Sequence, residues 1–363
     1  MVEERIAANA DPTRARWNPD GRRTGDWTVG WETDVDAETT GRPAVAGGSV
    51  YVATDDGLFA VDAADGGRRW HDSLADRIAV VPPVVDGGTV YVATYDDLGR
   101  ADEHVHALDA ETGATEWAVE ASPGTKSPLT VAGDTVFVAE HGGRVVARDA
   151  ATGERQWVTS VGTTASACAV TDGTAVVASG DELLALATAD GSVRWRSPVD
   201  DDVTAGPVFA TGSAFVGTAD GTVQAFDAGT GDRQWSTTVF DERIHDATRH
   251  LSGHPDRFAL ADVRSLASDG DRLYAGTFNA LLALDAETGE PDWTLETDSG
   301  YLWSQTVLDH RVYAGSSGGT VYEVGTFSGT VTSRRPHDAD AYPTVADGSL
   351  YLVTRAGALL RYA

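Results

Sequence analysis

The 363 residues hold one cysteine, one methionine and one lysine. With Cys168 alone, no disulfide can form within the chain, and cysteine-rich zinc or iron-sulfur sites are excluded as well. No apolar run approaches the roughly 20 residues that a membrane-spanning helix needs. Basic residues are scarce overall. The 27 Lys and Arg face 56 Asp and Glu, for a formal net charge of −29. Nucleic acids and anionic membrane surfaces repel such a chain and are not expected as partners.

Lys126 is the single lysine among those 27 basic residues, and Asp, Ala, Gly, Thr and Val dominate the remainder. This bias resembles the proteins of extreme halophiles. In molar salt the screening length shrinks to about 3 Å, so neighbouring carboxylates no longer repel and mainly hold water and cations. The chain is nevertheless no disordered acidic tail, because 41% of its residues are hydrophobic and ten are Trp. It has the means to build a core.

The sequence also repeats itself. ALDAETGATEW at 107–117 returns as ALDAETGEPDW at 283–293. The phrase recurs, with variation, at tryptophans 70, 117, 157, 195, 235 and 293, and a seventh copy keeps Gly329 but places Ser333 where the tryptophan belongs. A second phrase, PAVAGGSVYVAT in its first copy, precedes each. Its equivalent first positions are Pro43, Pro83, Pro128, Cys168, Pro207, Ser265, Gln305 and Pro343, which makes eight starts about forty residues apart. Each repeat reads as four short strands separated by turn signals, a meander of antiparallel hairpins. Radial repetition of such sheets predicts an all-β fold, an eight-bladed β-propeller of four-stranded antiparallel blades. Only three strands follow Pro343, so the N-terminal strand at 27–35 is expected to complete the last blade. Residues 1–26 read as an extension and 27–363 as a single propeller domain. In the repeated phrase the aspartate is expected to bind the turn backbone, the glycine to adopt a positive φ, and the indole to pack on the neighbouring blade.

The two phrases together, P-x-V-x-x-G-x-[VL]-Y-V and A-[LV]-D-A-x-T-G-x-x-x-W, resemble the repeat of the pyrroloquinoline-quinone-like (PQQ-like) eight-bladed propellers over roughly residues 27–363. That family divides into quinoprotein dehydrogenases, which hold the quinone and calcium on the axis, and non-catalytic propellers such as the BamB-type outer-membrane assembly scaffold. The dehydrogenase branch implies a calcium-binding Glu/Asn/Asp set, a catalytic aspartate and, in many members, adjacent cysteines. Adjacent cysteines are absent here, and no calcium set aligns. The resemblance therefore implies the non-enzymatic, BamB-like branch, with no catalytic residue, no cofactor and a protein partner. A PQQ- or metal-dependent oxidoreductase is the alternative, and a small-ligand sensor is a third reading.

Function on such a scaffold is expected in its loops. Two repeats break the period: the second, at TYDDLGRADEH, and the fifth, followed by FDERIHDATRHLSGHPDRF. His245, His250 and His254 in the longer insertion are candidate metal ligands, while Arg243, Arg249 and Arg257 are candidate partner anchors. Just before inner strands stand Arg42, Lys126, Arg264, Trp303 and Tyr342, a set of cations and aromatics suited to an anionic or aromatic ligand at the axial mouth. His104 and His106 share one side of a strand and read as surface or packing residues. Cys168 takes a small, buried inner position. With no signal peptide, lipobox or membrane segment in view, the chain as written reads as a cytoplasmic monomer; a truncated start would make it an exported one.

Because the charge is so one-sided, dilution from molar salt to about 0.1 M, where screening extends to about 10 Å, is expected to lower the melting temperature substantially. Calorimetry across that range checks this, and an unchanged melt would show that the acidic surface is no adaptation to salt.

Overall fold

The computed structural model describes residues 28–75, 77–79, 81–95, 103–122, 127–140, 142–166, 168–239, 262–308 and 310–363. Strands and turns account for the regular structure, with no helix among the described residues. The third repeat shows how the sequence builds one sheet. Its strands Thr130–Ala132, Thr135–Glu140, Arg144–Asp149 and Arg155–Ser160 pair in sequential antiparallel order. The second strand is buried almost throughout, whereas the fourth alternates between exposed and covered positions. That difference follows from place: a middle strand has neighbouring sheets on both faces, while the outermost turns one face to water.

Among the described residues seven hydrogen-bonded sheets result, and none closes on itself. Four of them consist of four consecutive strands; a fifth, in the second repeat, gains the short strand Ile78–Ala79. The sixth and seventh repeats share one seven-stranded sheet, because the 18-residue strand Pro291–Leu308 serves first as an outer strand and then as an inner one. In the remaining sheet Val29–Asp34 pairs with Ala358–Tyr362, so opposite ends of the chain complete one four-stranded unit. Thr28 and Ala363 exchange backbone hydrogen bonds of 3.2 and 3.0 Å at its end.

The core lies between the sheets. Eight apolar clusters each join one repeat to its neighbour: Ala44, Tyr51 and Leu58 meet Val90, Val92 and Leu108 of the second repeat, and so on along the chain. In the eighth, Val50, Val52 and Phe59 of the first repeat pack with Tyr351, Val353 and Leu359 of the last.

At the outer rim each contact is sharpened by the repeated phrase. In the third repeat Asp149 Oδ1 accepts from the Thr152 backbone at 2.9 Å and from its hydroxyl at 2.9 Å, which folds the turn. Gly153 follows with φ of 72°, where only glycine is free of strain. A Cβ there would stand 2.8 Å from the ring of Trp117, which belongs to the preceding repeat. The same indole donates its Nε1 proton to the Ala150 carbonyl at 2.9 Å. Equivalent indole-to-carbonyl bonds run from Trp70 to Ala110, Trp157 to Thr188, Trp195 to Ala228, Trp235 to Ala286 and Trp293 to Thr326, at 2.7–3.2 Å. Trp31, on the N-terminal strand, reaches the Ala63 carbonyl of the first repeat at 3.1 Å. The turn aspartates 62, 109, 227 and 285 are held below the ordinary carboxylate range, Asp62 chiefly by the Arg69 hydrogen bond and the others chiefly by hydrogen bonds from the turn threonine.

Two alanine substitutions separate backbone strain from the indole contact. Gly133 also has positive φ but would place its Cβ in open space, so Gly133→Ala is expected to cost only the left-handed penalty, about 1–2 kcal/mol. Gly153→Ala adds the collision with Trp117, for about 2–5 kcal/mol in all. Denaturation midpoints check the ranking, and equal losses would show that the indole contributes nothing to the turn's choice of glycine.

Candidate functional site

At the starts of the inner strands Thr344 of the last repeat donates to the Pro43 carbonyl of the first at 3.0 Å. Thr130 reaches the Cys168 carbonyl at 2.5 Å and Ser265 the Leu302 carbonyl at 2.6 Å. Adjacent repeats are thus stitched at their inner edges. Cys168 is buried there, as expected for a small inner residue.

Arg42 does something different. Its Nη1 donates to the Gln305 carbonyl at 3.4 Å, linking the first repeat to the seventh. The last repeat lies between these two in the packing order, so the guanidinium extends past its inner edge. Beneath it Ser304 and Gln305 are buried, at 1% and 0% exposure. The Ser304 hydroxyl and both polar atoms of the Gln305 amide have no hydrogen-bond partner. Burying such groups unsatisfied costs about 1–3 kcal/mol each. Gln305 can enter this space because the facing residue is Gly276, where a Cβ would meet the amide nitrogen.

Arg264 stands nearby in the sixth repeat. It pairs with Asp262 at 2.5 Å and lies over the Tyr301 ring at 4.8 Å, while Tyr301 meets Phe278 edge to face at 5.0 Å. Burial pushes the Asp262 carboxyl above its ordinary range despite Arg264, and its Oδ1 has no hydrogen-bond partner. Tyr342 is half-buried in the last repeat, with its hydroxyl pKa raised by burial and by Asp340. These inner edges therefore offer guanidinium, hydroxyl and amide groups beside the Arg264-paired carboxylate of Asp262. Among the described residues no three His, Cys, Asp or Glu side chains gather as metal ligands, and a set dominated by guanidinium and amide groups does not fit the calcium of a quinone site.

Of the residues singled out by sequence, Arg42 and Arg264 have inner-edge contacts, and Tyr342 lies on an inner strand between the Arg42 and Gln305 repeats. Trp303 lies on the strand Pro291–Leu308, but its side chain falls outside the described residues. Lys126, the arginines 243, 249 and 257, and the histidines 245, 250 and 254 also lie outside them. Sequence reasoning missed Ser304, Gln305 and Asp262 as site residues. The signal for Gln305 was present, since it replaces the proline found at five equivalent starts.

Comparison with known proteins follows the same lines. A family model described as outer membrane protein assembly factor BamB (PQQ_2) matches residues 19–172, 162–248 and 259–334. The chain belongs to this family. The BamB of Burkholderia pseudomallei is 33% identical over 169 residues, which are 46% of this chain and 41% of that protein, so less than half of that relative is spanned. The BamB of Yersinia pestis is 25% identical over 319 residues, 71% of this chain and 79% of the relative. A quinohemoprotein alcohol dehydrogenase of Comamonas testosteroni is 27% identical over 305 residues, 79% of this chain but 37% of the enzyme. Among solved structures, the BamB of Moraxella catarrhalis superposes with a TM-score of 0.72 at 18% identity, covering 93% of this chain and 98% of that one. At that identity the likeness establishes a shared propeller fold. As members of the PQQ-like, BamB-like branch, the repeats can be called blades.

The histidine pair in the second blade is structural. His106 is buried against Thr94, 3.1 Å from its hydroxyl, and the His104 ring lies 5.9 Å away. Burial, assisted by the charges of His104 and Arg77 against that of Asp72, lowers the His106 pKa from 6.5 to about 4. Below pH 6.5 the unfolded chain takes up a proton that the folded one refuses. Stability is therefore expected to be full above that pH and to fall as pH drops toward 4, by on the order of 3 kcal/mol. Urea denaturation in molar salt measures the slope. It should be reduced in His106→Gln, the remainder coming from His337, whose pKa burial and Arg335 also lower, and a slope unchanged in that variant would assign it to other groups.

Proposed function

We propose that this chain is a non-enzymatic eight-bladed propeller, closed by its N-terminal strand, that works as a protein-binding scaffold. The observation that carries the reading is its membership of the BamB family. Support for eight blades in a ring comes from the eight inter-blade clusters and from Trp31 reaching Ala63. Both breaks in the forty-residue period, in the second blade and after the fifth, fall at loops that leave their sheets on one side: between the second and third strands in one case, beyond the fourth in the other. That face is the proposed contact side, with Arg243, Arg249 and Arg257 as anchors and His245, His250 and His254 as candidate metal ligands. Shortening residues 241–261 to a tight turn is expected to abolish capture of the partner in molar salt while leaving the melt unchanged. Capture that survives this change but fails when the opposite face's turns are altered would place the contact on the wrong side.

A second reading, a small polar or anionic ligand at the axial mouth, is favoured by the unpaired amide of Gln305 beneath Arg42. Arg264, Tyr342, Lys126 and Trp303 would complete its surround. In a thermal-shift screen of carboxylates and inorganic phosphate, a ligand of this kind raises the melt of the native chain and leaves Gln305→Leu and Arg42→Ala unmoved. Absence of any shift, or one that both variants retain, rejects it. The quinone-dependent oxidoreductase is tested by adding the quinone with calcium: dye-linked alcohol oxidation would overturn the non-enzymatic reading.

A further inference from the structure

In six blades the rim tryptophan faces an alanine across the strand pair: Ala60 with Trp70, Ala107 with Trp117, Ala147 with Trp157, Ala185 with Trp195, Ala225 with Trp235 and Ala283 with Trp293. The small residue leaves room for the indole that grips the next blade. In the seventh blade both members change together, and Glu323 faces Ser333. The Glu323 side chain is only 3% exposed. Arg311 lies 3.0 Å from one of its carboxylate oxygens, and Arg335 lies 3.6 Å from the other. Arg335 also donates to the Ser333 hydroxyl at 2.8 Å and stacks on Tyr362 of the last blade, 5.2 Å from the ring centroid.

This exchange occurs where the repeat itself is interrupted. The eighth blade has no Asp-to-Gly turn for an indole to cover, because its third strand ends at Tyr362 and its fourth is Val29–Asp34 from the other end of the chain. Among the described residues the three strands between Ala341 and Tyr362 follow directly on the seventh blade. Besides the apolar cluster with the seventh blade, they are held by the pairing with Val29–Asp34, the apolar cluster with the first blade and the Thr344 hydrogen bond to Pro43. A hydrophobic contact and a buried ion cluster of similar volume differ in kind. The indole stabilises the closed arrangement outright, whereas the Coulomb energy of buried charges is largely offset by their desolvation.

We infer that the seam between the seventh and eighth blades is the molecule's built-in opening point: an ion latch of Arg311, Glu323 and Arg335 replaces the indole latch, and the strands 341–362 release as one unit. The latch works through charge. Neutralising Glu323 leaves two arginines facing each other with no carboxylate between them, so release becomes more frequent without disturbing the other seams. The inference rests on the eight-blade arrangement proposed above. If the ring were a different one, strand Val29–Asp34 would show no protection at all, an outcome separate from those that follow.

Native-state hydrogen exchange of the full chain in molar salt tests it. Amides of Ala341–Ala346 and Ser349–Thr354 are expected to exchange together, through openings about 100-fold more frequent than those of Thr174–Ser179 in the fourth blade. Glu323→Gln preserves side-chain volume and should speed exchange in the last blade about tenfold, as loss of a charged hydrogen-bonded pair implies, with the fourth blade unchanged. The paired change Glu323→Leu with Arg335→Met puts apolar contact in place of charge at the seam and should slow it. Simple fraying of the chain ends predicts fast exchange that ignores residue 323. That result, or equal exchange in the fourth and eighth blades, overturns the inference, and the isosteric Glu323→Gln arm decides the matter even if the paired variant fails to fold.

Discussion

One contact recurs until it becomes the architecture: an indole laid over a left-handed glycine, with its N–H on the carbonyl three residues earlier in the same turn. A lone four-stranded meander would expose both of its faces. Neighbouring sheets cover them with apolar side chains, but apolar packing is non-directional and would tolerate sliding. The indole hydrogen bond has direction, and the glycine that receives the ring accepts no larger residue. Together they fix the register of each sheet on the next. Strand burial, inner-edge stitching and the meeting of the two chain ends all depend on that register being kept from blade to blade.

The fold was largely legible in the sequence because its information is local and repeated. A turn of Asp, Thr and Gly followed by Trp needs no distant partner to be recognised, and the spacing of eight starts carries the strand count with it. Trp31 could be matched to the missing outer strand for the same reason, and its pairing opposite Arg361 follows. What stayed hidden depends on contacts between non-neighbouring positions. Arg42 reaching the Gln305 carbonyl, some 263 residues along the chain, has no sequence signature. Nor does the meeting of Arg311, Glu323 and Arg335, although Ser333 in place of tryptophan marked the spot. The shared strand of the sixth and seventh blades was equally out of reach, since strand continuity across Asp298 to Leu302 is set by pairing with Phe278 and Leu302's partner Ser316 rather than by composition.

Departures from the repeat are therefore the informative positions. Where every copy does the same structural work, a residue that differs is released from that work or replaces it with another. Gln305 and Ser265 stand where proline is usual, and each brings a polar group into the inner edge between the sixth and seventh blades. Glu323 and Ser333 exchange an apolar pair for a charged one at the next seam. BamB proteins and quinohemoprotein dehydrogenases share this fold, so the fold alone does not decide between their functions. The residues at these departures do bear on it, and at the described inner edges they are guanidinium, amide and hydroxyl rather than a cluster of carboxylates.

The indole protons report most directly on whether one blade is locked to the next. In molar salt, the Nε1 protons of Trp31, Trp70, Trp117, Trp157, Trp195, Trp235 and Trp293 each donate to a carbonyl of the adjoining blade. Nuclear magnetic resonance of the assigned tryptophan side chains should find these seven slow to exchange with solvent, Trp31 among them. Rapid exchange across the set would contradict the account, because blades without that hydrogen bond would have lost the recurring directional contact that fixes their register at the outer rim.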